Sequence, residues 1–211
     1  MSTVIPVQEP IFAFTAGETF HEFCNAQPLE LAGLLRRIFA STRIDPDTQL
    51  YLTTYPTWLT CVVIVEDQTP DTAMIVPILV RMADACPRLE LCILSTTMDL
   101  TAINELMDDD LDLEEDIDDL DLPLLIFFDE EWNQQAQWGP RPVAAEKRLD
   151  AWLAAHPVYE KLLEDDSNDD SPALERLVEQ LTHQMRLWYN DDLTAACVGE
   201  IRAILEKLES N

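Results

Sequence analysis

Glycine is scarce in this sequence. There are four in 211 residues, Gly17, Gly33, Gly139 and Gly199, and no two stand close together. A loop that cradles phosphate with its own backbone needs clustered glycines, so the Gly-rich nucleotide-binding loops are excluded. Positive charge is scarce as well. Thirteen Lys and Arg stand against 41 Asp and Glu, giving a formal net charge of −28 and a pI near 4.1. Nucleic acid and anionic membrane surfaces repel such a chain, and neither is expected as a partner. No apolar run approaches the roughly 18 residues that a membrane span requires. The segment Met1 to Pro10 carries no signal-peptide pattern, and the protein is expected in the cytoplasm.

The chemistry-bearing residues are thin too. His21-Glu22-Phe23-Cys24 lacks the second His of a zinc-binding HExxH helix, and His156 and His183 have no partners at ligand spacing. The five cysteines, Cys24, Cys61, Cys86, Cys92 and Cys197, are odd in number and scattered. No pair has CxxC spacing, so neither a zinc knuckle nor a dithiol motif is available. They are expected to be reduced and mostly buried, and no metal or cofactor is expected.

At 47% apolar the chain has enough to bury for one well-filled core despite its charge. The segment Thr60 to Asp71 organises it. Val62-Val63-Ile64-Val65 reads as a buried central strand, and a polar turn with Pro70 follows. A helix over Asp71 to Ala85, capped by Asp71 or Thr72, then buries Met74, Ile75, Ile78, Leu79 and Met82 and is kinked at Pro77. A strand that ends at a helix N-terminus is a usual place for chemistry in open α/β folds, but here the turn holds no Cys, Gly or His.

The remaining chain supplies further elements. Met1 to Ala26, with no sustained period, reads as an extended arm. Pro28 to Ser41 is a helix with Leu31, Leu34, Leu35 and Ile38 inward. Arg43 to Thr57 holds a turn and a short helix or extended lead-in. Leu89 to Leu94 is a second strand, parallel to the first, and Thr97 to Met107 a short helix. From Asp108 to Asp121, ten of fourteen residues are acidic, and no Lys or Arg occurs between Arg88 and Arg141. That stretch reads as a solvated acidic loop, with a partner-binding acidic element for a basic partner as the alternative. Leu122 to Phe128 and Trp132 to Trp138 form an antiparallel hairpin, and a helix spans Pro142 to His156. Arg141, alone among acids, can bind a carboxylate ligand or pair with a neighbouring Asp or Glu. After an acidic linker, two amphipathic stripes, Leu174 to Trp188 and Val198 to Leu208, separated by Asp191-Asp192, predict an αα-hairpin. It either caps the sheet or meets a second copy, making a homodimer possible.

Three segments together resemble a bacterial branch of the thioredoxin-like family. Glu66-Asp67-Gln68-Thr69-Pro70-Asp71-Thr72 is similar to its Glu-Asp-Trp-Cys-Gly-Asp-Cys/Ser active-site turn. Leu122-Pro123-Leu124-Leu125-Ile126 looks like its cis-proline strand, and Trp138-Gly139-Pro140-Arg141-Pro142 like its WGPRP signature. Leu187-Trp188-Tyr189 before a last helix is also similar, and the resemblance runs from about Leu29 to Leu208. It implies a thioredoxin-like α/β fold: a central mixed sheet flanked by helices, with an N-terminal arm (1–27), a sheet domain (28–163, insertion 108–121) and a C-terminal helical hairpin (164–211). It implies that Leu122–Pro123 is cis, beside the turn. It also implies a groove for an extended peptide around Asp67, Gln68–Thr72, Pro123, Trp138 and Arg141.

The departure lies in the chemistry. Gln68 and Thr69 stand where the family has Trp and the nucleophilic Cys, and Thr72 occupies the resolving position. Thiol–disulfide exchange needs a thiolate, and a threonine hydroxyl does not ionise at neutral pH. No His lies near in sequence, and Asp67 or Asp71 alone would be a poor activator of either one. The expectation is a thioredoxin-like protein without dithiol activity that binds a protein or peptide. The alternatives are an oxidoreductase using a displaced Cys61, Cys86 or Cys92, and an acidic interaction protein acting through 108–121.

Overall fold

A computed structural model describes residues 12–97, 100–104, 106, 120–163 and 171–210. The sheet is built outward from β1, Leu59–Val65, which pairs in parallel with β2, Leu89–Ser95, and antiparallel with β3, Leu124–Phe128. β4, Gln134–Trp138, completes a four-stranded mixed sheet in the order β2-β1-β3-β4. β1 is a continuous apolar run because both faces of the sheet are covered. Its side chains alternate between two cores. Cys61, Val63 and Val65 join the larger one, and Val62 and Ile64 the smaller, where they meet Ala13, Leu94, Ile103 and Phe128.

The N-terminal segment departs from the extended arm read in the sequence. From Phe12 onward it holds two short helices, α1 (Phe12–Ala16) and α2 (Phe20–Ala26). A reciprocal capping box starts α2: Glu22 N–H donates to Thr19 Oγ1 at 3.3 Å, and Thr19 N–H to Glu22 Oε2 at 2.9 Å. That box is what Glu22 does in the His-Glu-Phe-Cys segment. Between the helices, Glu18 exchanges both backbone hydrogen bonds with Ile93, at 2.8 and 2.9 Å, and so covers the outer edge of β2.

Helices α3 (Leu29–Ser41) and α4 (Pro46–Thr54, capped by Asp45) precede β1, and α5 (Pro70–Ala85) connects β1 to β2. Pro77 lies inside α5, as the pattern indicated. Its cap is neither Asp71 nor Thr72 but Thr69. Pro70 takes the first helical position, where no N–H is needed, and this sets the helix start one residue before Asp71. α6 (Leu100–Asn104) follows β2, and the acidic insertion, apart from Leu120 and Asp121, lies outside the described residues.

After β4 come α7 (Val143–Ala155), α8 (Val158–Leu163), α9 (Pro172–Trp188) and α10 (Thr194–Glu209). The connection read as the turn of an αα-hairpin is itself helical. Tyr189–Leu193 forms a π turn, and Trp188, Tyr189, Leu193 and Thr194 all keep right-handed helical dihedrals. The two stripes bury against the sheet domain. Leu174, Leu181, Met185, Cys197, Ile201 and Leu205 belong to the same core as Val63 and Phe127. No helix among the described residues is long and apolar enough to cross a membrane.

Candidate functional site

The turn between β1 and α5 is held by its own side chains. Gln68 has φ +66°, a left-handed conformation uncommon for a residue with a Cβ. Thr69 then caps α5, its Oγ1 accepting from Thr72 N–H at 3.2 Å, while the Thr72 hydroxyl donates to Glu66 O at 2.8 Å. That donation commits the Thr72 hydroxyl to a backbone carbonyl of the turn.

Asp67 is fixed in another direction. Oδ1 accepts from Gln27 Nε2 at 3.0 Å, and Oδ2 accepts from the hydroxyls of Ser95 and Thr97 at 2.9 and 2.8 Å. It ties the turn to the end of β2 and to the α2–α3 junction, away from Arg141.

Asp71 and Arg141 are brought together. Arg141 Nε donates to Oδ1 at 3.1 Å and Nη2 to Oδ2 at 2.7 Å, a bidentate fork with side-chain exposures of 19% and 13%. Burial alone would lower the Arg141 pKa, but the hydrogen bonds and charge of Asp71, with Glu146 behind, outweigh it and raise the value. Of the two roles open to Arg141 in the sequence, the guanidinium fills the internal pairing.

Pro123 sits at the end of β3 that adjoins the turn, because the antiparallel register sets Leu124 opposite Ile64. The Leu122–Pro123 peptide bond is cis, and so is Gly139–Pro140. Gly139 has φ +148°, and a Cβ there would run into the carbonyl oxygen of Pro123. The Trp-Gly-Pro-Arg-Pro segment and the Leu-Pro strand are thus in direct contact through a position that only glycine can fill. Gly139→Ala should destabilise the protein by about 3 kcal/mol, through backbone strain and this collision. Chemical denaturation of the two proteins side by side measures it, and a difference under about 1 kcal/mol would contradict the contact.

Trp138 pairs with Leu125 in the sheet, and its Nε1 donates to Glu200 Oε2 at 2.8 Å. The other oxygen of Glu200 accepts from Val143 N–H at 2.9 Å, at the start of α7. Nothing local in the sequence marks Glu200, since its two partners lie some sixty residues away. Two tyrosines were also missed. Tyr159 is raised in pKa by burial, then by the charges of Asp71 and Glu66. Tyr189 is raised by burial first, and its hydroxyl is buried with no hydrogen-bond partner among the described residues.

All five cysteines are free and buried. Burial pushes each thiol up: Cys92 to about 12, Cys61 well above its ordinary value, and Cys24, Cys86 and Cys197 in the same direction. Among the described residues no three His, Cys, Asp or Glu gather as a metal site. The rim facing solvent consists of Glu66, Gln68 and Gly139, all exposed, with Leu122, Leu124 and Pro140 half-buried.

No curated protein matches the sequence significantly. Two crystal structures share the fold. One is a protein of unknown function from Pseudomonas aeruginosa (19% identity, TM-score 0.61), covering 93% of this chain and 96% of its own. The other is an HIV epitope-scaffold (18% identity, TM-score 0.58), covering 92% and 96%. A family model described as thioredoxin matches residues 17–153, well over half of the chain, and the protein belongs to the thioredoxin family.

Proposed function

We propose that this protein is a thioredoxin-fold binding module without dithiol chemistry, which holds an extended polypeptide along the rim formed by Glu66–Thr69, Leu122–Leu124 and Gly139–Pro140. The observation that carries the reading is the state of the turn. The residues at the two positions that resemble the family's cysteines are threonines, and their oxygens are engaged in capping α5 and in bonding the Glu66 carbonyl. Backbone pairing with a peptide needs an open strand end and fixed loops, neither of which depends on a thiol. The buried, high-pKa cysteines support the same reading against a displaced nucleophile, because a thiolate is the reactive form. Five free thiols also fit a reducing compartment such as the cytoplasm.

The redox half of the proposal is tested by dithiol-driven reduction of insulin, where the protein should add nothing to the dithiol background. Turnover above that background would overturn it. Thr69→Cys with Thr72→Cys places two thiols at the N-terminus of α5, where the helix dipole favours thiolate, and should bring measurable turnover. The binding half is tested by amide hydrogen exchange with a mixture of extended, uncharged peptides. Slower exchange is expected at the rim, and unchanged exchange there at saturating peptide would refute a groove.

A further inference from the structure

A cavity of about 480 Å³ lies on the helical side of the molecule, between the C-terminal end of α3, the π turn and the start of α10. Its charge runs against that of the chain. The sequence has roughly three acidic residues for each basic one, yet among the described residues the cavity is lined by Arg37, Arg43 and Arg186 with Asp191 as the one carboxylate. None of the three guanidinium groups is ion-paired with a described residue. Arg43 donates from Nη1 alone, to the carbonyls of Ala40 and Thr42 at 3.0 and 3.4 Å, which leaves its other donors uncommitted. Three of the hydroxyls on the wall are already spent. Those of Ser41 and Thr42 donate to Ile38 O, and that of Thr194 to Tyr189 O across the π turn. The polar side chains left uncommitted on the wall are the guanidinium groups, the Asn190 amide, the buried Tyr189 hydroxyl and the Asp191 carboxylate.

We propose that this cavity binds an organic phosphate monoester. Three guanidinium charges less one carboxylate leave about two positive charges, the complement of a phosphate ester that carries close to −2 at neutral pH. Guanidinium forks match phosphate oxygens in pairs, and desolvating them in a concave wall strengthens the match. The volume lies within the ordinary range of small-molecule sites and exceeds what bare phosphate needs, with Ile38, Met74 and Tyr189 supplying apolar wall for an organic group. Placing Tyr189 and Asp191 on this wall depends on the π turn, a distortion often associated with functional sites in helices. The site stands apart from the peptide rim and does not rest on that reading.

Phenyl phosphate is the probe, titrated calorimetrically into the full chain at constant ionic strength, with phenyl sulfate as the monoanionic control. Phenyl phosphate should bind with a Kd below about 1 mM and at least tenfold tighter than phenyl sulfate. Arg37→Gln and Arg186→Gln, both at half-exposed or exposed positions and so compatible with folding, should each weaken binding at least fivefold while leaving the circular dichroism spectrum unchanged. Equal binding of the two probes, no heat up to 10 mM, or unchanged affinity in both variants overturns the proposal. A neutral peptide carrying phosphoserine gives the source of the ester: tighter binding than phenyl phosphate points to a modified protein, weaker binding to a free metabolite, and both support the site.

Discussion

Arg141→Met should destabilise the folded protein by about 3 kcal/mol, a fall of roughly 6–12 °C in melting temperature for a chain of this size. The substitution keeps the apolar stem but removes the fork from Asp71, whose carboxylate is only 13% exposed. An unpaired carboxylate in that setting faces Tyr159 and Tyr189 and has lost its only basic partner in the described structure. Most of the cost is the stranded charge, not the worth of the pair. The double variant with Asp71→Asn should therefore recover at least half of the loss. Arg141→Lys, which keeps the charge but cannot bond bidentately, should fall between. If the single and double variants prove equally unstable, the cost is not a stranded charge but the loss of Arg141's own contacts.

Raising the pH above 9 should unfold the protein cooperatively, with the loss of stability steepening toward pH 12. The thiol of Cys92 is pushed by burial from 9.0 to about 12, and Tyr55 from 10.0 to about 12 by burial and then by Glu209. Cys61 and Cys197 move up for the same reason. The sign follows from proton linkage. Between the ordinary and the raised values the folded chain retains protons that the unfolded chain has released. Stability therefore falls as pH rises, by up to about 1.4 kcal/mol per pH unit for each such group. The contribution is fully present below pH 9 and is exhausted above the folded-state values. Far-ultraviolet circular dichroism against pH records the transition. In parallel, a chromogenic thiol reagent at pH 8 should find almost none of the five cysteines until guanidinium is added, and then all five. Rapid native reaction of even one thiol would remove the burial on which both expectations stand.

The Asp71–Arg141 pair and the arginine-lined cavity occupy different parts of the chain, yet α5 touches both. Its first turn carries Asp71, bonded to Arg141, and its second carries Met74, on the cavity wall. Tyr189 also belongs to both neighbourhoods, lining the cavity while its pKa responds to Asp71 and Arg141.

Much of the scaffold was legible because its signals are local. Four β-branched residues in a row read as a strand buried on two faces, and the apolar stripe from Met74 to Met82 reads as a buried helix. Even α2 was announced by Thr19-Phe-His-Glu22, a capping-box pattern passed over because the flanking segment has no sustained period. The π turn was misread for a related reason. Asp191-Asp192 looks like punctuation, but a helix tolerates two exposed acids when Leu193 and Tyr189 are buried on its other side.

The sequence by itself determined the class of fold, the place of the turn and the absence of a thiol within it, since each depends on residues within a few positions of one another. Tertiary structure alone decided which partners those residues have. Asp67 reaches Gln27 and Ser95, Asp71 reaches Arg141, and Trp138 reaches Glu200, over separations of 28 to 70 residues. Such pairs follow from strand register and helix packing, and those are settled by the burial of the whole core; no short stretch of chain encodes them. The gathering of Arg37, Arg43 and Arg186 around one cavity is of the same kind, invisible until α3 and α9 are both packed on α5.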